Sequence, residues 1–143
     1  MTNLQHSGSL RYTFRKEERL CSDKIVAGLF QSGIFVSKYP FRANVLVLPS
    51  GTPGPRIQIL LSAPKRRFKR AVDRNRLKRL MREVYRMRKH ELYAELERLD
   101  MHLAVALIYT GTEMMDHAAM EKAFDKLMQR WLPALPEWKE RAL

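Results

Sequence analysis

Six cations and an amide, Arg74, Asn75, Arg76, Lys78, Arg79, Arg82 and Arg86, lie close together in the middle of the chain. Guanidinium and ammonium groups at this density bind phosphate oxygens; alone they neither make nor break a covalent bond. At roughly 100° per residue, Arg74, Asn75, Lys78, Arg79, Arg82 and Arg86 share one side of a helix. Leu77, Leu80, Met81 and Val84 gather on the other side, with Arg76 between the two faces. Lys65, Arg66, Arg67, Lys69 and Arg70 lead into this helix. Residues 65–89 hold thirteen basic and two acidic side chains, a local +11 within a total of +12. A merely solvated face usually mixes signs, so this stripe is the footprint of a polyanion binder, nucleic acid first.

Other chemistries lack their parts. His6, His90, His102 and His117 are scattered without Cys or His companions, so they are expected at surface or boundary positions and no metal-ligand set is expected. Cys21 is the lone cysteine, which excludes an internal disulfide, suits a reducing compartment and is expected to be a buried, inert thiol. Gly51 and Gly54 stand among prolines rather than before a helix, so no phosphate-cradling loop is present. Glu17, Glu18, Glu95 and Glu97 sit in charged stretches without a pocket to tune them. No catalytic residue is therefore assigned. Apolar runs such as 103–109 fall far short of the roughly 20 residues that span a bilayer. The apolar side of the basic helix has strands to pack on, so no membrane partner is expected. The opening residues lack the pattern of a secretion signal, and a cytoplasmic location is expected.

The elements that must hold the basic helix follow from pattern. A length of 143 residues suits one domain: a flexible arm over 1–13, a folded body over 14–133 and a peripheral tail over 134–143. Ser22 caps a helix over residues 23–32, with Ile25, Val26, Leu29 and Phe30 on one face and Gly33 as a left-handed stop. Residues 41–48 and 56–62 are two strands flanking a turn-rich loop over 49–55, which together predict a hairpin. The basic helix extends over about 69–95, and the apolar run 101–109 is a central strand buried on both sides. Thr112 or Asp116 caps a last helix carrying Met120, Phe124, Leu127, Met128 and Trp131, which Pro133 ends. This order predicts an α+β fold, a small sheet packed by helices.

The segment from Ala71 through Arg74-Asn75-Arg76, Lys78-Arg79 and Arg82-Glu83 resembles the signature of the bacterial ribonuclease P protein family. Lys65 and Arg66 look like the basic pair that follows the family's preceding strand. Phe14, Arg19-Leu20, Leu29-Phe30 and Gly33 resemble its N-terminal region, so the likeness runs from about residue 14 to 131. Val26 stands where the family often has an aromatic residue, and Pro64 where a small residue is more usual.

The resemblance implies a fold like the second domain of a small-subunit ribosomal protein, with a left-handed βαβ crossover. General chain geometry alone predicts the right-handed form in about 98% of cases. It also implies that a ribonuclease P RNA holds Mg2+ and carries out the endonucleolytic removal of the 5′ leader from precursor tRNA. The protein, one per RNA and binding no metal of its own, would then supply affinity and orientation. Arg and Lys of the basic segment would contact RNA phosphates. Phe30, Val26 and Phe14 would line a cleft where leader bases stack. The residues by themselves also fit a non-catalytic ribosomal or assembly protein, or a binder of duplex DNA. Recognition helices of DNA modules usually follow a short helix and turn, whereas this helix follows a strand.

Overall fold

The computed structural model describes residues 14–142; the expected arm at 1–13 lies outside them. Three helices and four strands follow in the order α1 (Asp23–Ser32), β1 (Ile34–Lys38), β2 (Phe41–Leu48), β3 (Ile57–Ser62), α2 (Ala71–Leu99), β4 (His102–Tyr109) and α3 (His117–Ala142). A 3-10 turn, Lys16–Glu18, precedes them. The fold is α+β.

The sheet runs β1-β2-β4-β3, with β4 antiparallel to β2 and parallel to β3. The expected hairpin between β2 and β3 is therefore corrected, because β4 lies between them. β4 is buried at every position except Ile108, and a strand apolar on both faces gains most at the centre of a sheet. β2 makes its hairpin with β1 instead, a short strand that the sequence pattern did not reveal.

Strand parity then divides the core. Ile34, Val45, Val105 and Ile59 align in one row across all four strands and face the α2–α3 layer. On the opposite face, Ala104 and Ala106 leave room for α1, whose Leu29 is fully buried against them. Three layers result: α1, the sheet, then α2 with α3.

α1 has the predicted bounds. Ser22 caps it by accepting from the Ile25 N–H at 3.3 Å. Gly33 follows in extended backbone (φ −70°, ψ 158°), not in the left-handed conformation expected of it. Glycine is needed there for another reason: a Cβ would stand 2.4 Å from the Leu29 carbonyl oxygen and 3.1 Å from that of Val45. The left-handed stop occurs instead at Asp100 (φ 55°, ψ 53°), which ends α2 four residues later than expected. Its carboxylate is held by Arg56 at 3.1 Å and Ser50 at 3.2 Å.

α3 does not end at Pro133. It continues through Pro133 and Pro136 to Ala142, so the boundary expected at 133 and the peripheral tail over 134–143 are both corrected. Each proline removes one helical hydrogen bond. Burial of Leu135 and Trp138 opposes that cost, with Trp138 set edge-on to Trp131 at 6.2 Å. Asp116 is the cap, accepting from the Ala119 N–H at 2.8 Å.

The edge of β3 is not bare. Arg19 bridges Ile59 in parallel, and the Leu20 N–H donates to the Ile59 carbonyl at 3.1 Å. This segment is tied to α2 by an ion pair between Glu18 and Lys89, both buried. Glu18 also accepts from the Tyr93 hydroxyl at 2.7 Å and from the Arg15 N–H at 2.9 Å. Burial alone would raise the Glu18 pKa, but these bonds outweigh it and hold the carboxyl below its ordinary range.

Candidate nucleic-acid interface

α2 presents the predicted amphipathic arrangement. Leu77, Met81 and Val84 are buried against the sheet, and Leu80 is half-buried beside them. Asn75, Arg76, Arg79 and Arg82 are exposed, with Lys78 and Arg86 partly so. The core thus fixes one side of the helix and holds the other rigidly toward solvent. Arg76, which lay between the two faces in the sequence reading, belongs to the exposed side. Asn75 sits within the helix, past the N-cap Arg70.

Not every cation in the segment is available. Lys89 is buried on Glu18 and leaves the stripe. Arg88 bridges Glu121 at 3.2 Å and Asp125 at 2.8 Å, joining α2 to α3. Arg86 pairs with Glu83, and that pair holds the Glu83 carboxyl below its ordinary range. Arg70 reaches Asp73 at 3.4 Å. Arg74 donates to the carbonyls of Phe68 at 2.8 Å and Lys69 at 2.7 Å, so it organises the β3–α2 loop. Among the described residues, Lys65, Arg66, Arg67, Lys69, Arg76, Lys78, Arg79 and Arg82 make no ion pair within the chain.

The loop that carries the first basic group is pinned by a residue the sequence reading missed. Phe68 is buried, with its ring 5.9 Å from Tyr109, and the N–H groups of Arg67 and Phe68 both donate to the Pro64 carbonyl at 3.2 Å. Lys65, Arg66, Arg67, Lys69 and Arg70 are therefore exposed around one anchored aromatic. A lone Phe inside a run of cations was the available signal.

Of the three residues expected to line a leader cleft, Val26 and Phe30 stand one turn apart on α1, whereas Phe14 lies at the β3 edge beside α2. Phe14 packs edge-on against Tyr85 at 5.9 Å, under the Arg19 guanidinium. It helps line a cavity of about 260 Å3 with Leu60, Lys78 and Arg82 at the β3 edge. Val26 belongs to the smaller core cluster beneath α1. Phe30 is 52% exposed, so it is not a core residue. Strand parity adds an aromatic that the sequence reading did not single out. Phe35 pairs with Asn44, stands on the α1 side of the sheet and is 59% exposed. The Arg42 guanidinium lies 5.3 Å from the centre of its ring. An exposed ring beside a cation is a surface on which a base can stack. Two surfaces thus flank the sheet, a cationic one on α2 and an aromatic one on the α1 side.

Cys21 is exposed rather than buried, and it borders the cavity at Phe14. His102 is buried, with Nδ1 3.2 Å from the Pro55 carbonyl oxygen, which corrects its expected boundary position. No helix of the described residues is long and apolar enough to cross a membrane.

Comparison with known proteins extends this geometry. A family profile described as Ribonuclease P matches residues 14–132. A protein of Porphyromonas gingivalis called ribonuclease P protein component is 36% identical over 115 residues, covering 80% of this chain and 83% of that one. A protein of the same name from Chlorobium phaeobacteroides is 35% identical over 108 residues, covering 69% and 73%. Among solved structures, the Staphylococcus aureus RNase P protein superposes with a TM-score of 0.61 over 78% of this chain and 93% of that one. At 15% identity that likeness speaks for the fold alone. With the profile spanning nearly all of the described residues and relatives this similar over most of both chains, the chain belongs to the ribonuclease P protein family.

Proposed function

We propose that this chain is the protein subunit of a ribonuclease P ribonucleoprotein that matures the 5′ end of tRNA. The observation that carries the reading is the α2 face, where Arg76, Lys78, Arg79 and Arg82 are held toward solvent without carboxylate partners. A rigid row of cations matches the phosphates of A-form RNA, which is recognised by shape and backbone more than by sequence. On the other side of the sheet, Phe30 and the Phe35–Arg42 pair offer stacking surface to the unpaired 5′ leader of precursor tRNA. Chemistry and Mg2+ belong to the RNA in this reading, with one protein per RNA, in the cytoplasm. The protein's own part is to neutralise phosphates and orient the leader.

Reconstitution tests it. Added to a bacterial ribonuclease P RNA, the protein should lower the magnesium needed to cleave precursor tRNA, while RNA-free protein should cleave nothing. Leader removal by RNA-free protein would overturn the division of labour. Tight RNA binding without any change in the magnesium requirement would favour a ribosomal or assembly protein using the same helix.

A further inference from the structure

Leu80 and Met115 form the apolar floor of a second cavity, of about 430 Å3, between α2 and the start of α3. Arg76, Arg79 and Glu83 border it from α2, and Asp116 and His117 from α3. Both floor residues pack against the main core, so the floor is fixed. The volume lies in the range of small-ligand sites, roughly 300–1,000 Å3. Arg79 on its rim belongs to the cationic face, so a polyanion lying along α2 passes its mouth.

The lining discriminates among parts of a nucleic acid. A phosphate would meet an apolar floor and the carboxylates of Glu83 and Asp116, each of which keeps one oxygen beyond its bond to Arg86 or to the Ala119 N–H. The first turn of α3 does not invite it either, because Asp116 already caps that turn through Ala119 and Met120. A flat heterocycle suits the floor, with its faces on Leu80 and Met115 and its edge at the polar rim. Ionised carboxylates only accept hydrogen bonds, so the edge they bind must donate. Guanine offers N1–H and an amino N–H side by side; uracil offers one N–H between two carbonyls that carboxylates repel.

We propose that this cavity receives one unstacked guanine base of the partner RNA. Its ring rests on Leu80 and Met115, its donor edge faces Glu83 and Asp116, and its phosphate stays outside at Arg76 and Arg79. Splayed-out bases read on their pairing edge are the usual route to sequence preference in RNA recognition. The inference rests on the reading of α2 as an RNA-binding face and adds a base preference to it.

The test uses the full chain with 13C-labelled Met and Leu methyl groups, titrated with GMP, UMP and ribose 5-phosphate. GMP should shift the Met115 and Leu80 methyl signals saturably, with a Kd about tenfold below that of UMP, the scale of one two-pronged polar contact to a base edge. Glu83→Gln should remove most of that preference, and Met115→Trp, which fills the cavity, should abolish the Leu80 shift. Failure of GMP to shift these signals, equal binding of UMP, or equal binding of ribose 5-phosphate would each overturn the base pocket. No ribonuclease P RNA enters the titration, so its failure is distinct from a failure of reconstitution.

Discussion

Glu18 and Lys89, 71 positions apart in sequence, form an ion pair with 7% and 5% of their side chains exposed. The pair fastens the segment covering the β3 edge to the middle of the basic helix. Each group depends on the other, because a lone charge at this depth lacks the water that would otherwise solvate it.

Glu18→Gln should therefore destabilise the fold by about 3–5 kcal/mol, the usual cost of leaving a buried charge unpaired. Glu18→Gln combined with Lys89→Met should recover much of that loss, as a thermal melt of the two variants will show. The same carboxyl gives a pH dependence. Its pKa is lowered on folding, so its contribution is complete above the unfolded value of about 4.3 and disappears as pH falls through the depressed folded value. The acid limb of the melting temperature should flatten in the double variant.

RNA affinity should fall steeply with salt. If about six phosphates are neutralised, log K against log salt should slope between about −4 and −5. A nearly flat dependence measured by filter binding would remove α2 and its leading loop as the binding surface.

The cations of α2 should divide into two kinds. Arg79→Ala and Arg82→Ala should weaken RNA binding while moving stability by no more than about 0.5 kcal/mol, as exposed residues without partners do. Arg74→Ala should lower both, because the Phe68 and Lys69 carbonyls lose a charged donor worth about 1–3 kcal/mol before discounting for solvent. Equal melting temperatures for all three variants would contradict the loop-organising role of Arg74.

Phe30→Ala should leave folding nearly intact, within about 0.5 kcal/mol, since the ring is half exposed. The preference for precursor over mature tRNA should shrink by about 1–3 kcal/mol, one stacking contact. An unchanged preference would take Phe30 out of the leader surface.

Trp138→Ala should cost about 3–5 kcal/mol, the range for a buried aromatic, although it lies beyond two prolines. A loss under 1 kcal/mol, roughly a surface value, would return the last turns of α3 to a peripheral tail.

Much of this architecture was legible because its signals are local. The Ser22 cap, the apolar spacing of Leu77, Met81 and Val84, and the unbroken run in β4 each declare an element within a few residues. What was hidden depends on distant partners. β2 and β3 are neighbours in sequence yet do not pair, because β4 arrives from forty residues further on to claim both. Pro133 breaks helices on average, and here burial of Leu135 and Trp138 overrides it. In the interface, charge density revealed the helix but not the division of labour within it. Lys89, Arg88 and Arg74 look like their neighbours in sequence and differ only in what faces them.

The central place of β4 also sets an order of events during synthesis. Until residues 102–109 leave the ribosome, the β1–β2 hairpin and β3 have no strand to join them, and the apolar side of α2 has only half a sheet to cover. The nascent chain at that stage exposes open strand edges beside a dense block of positive charge, in surroundings rich in RNA. Long-range pairing of this kind is slow and prone to aggregation.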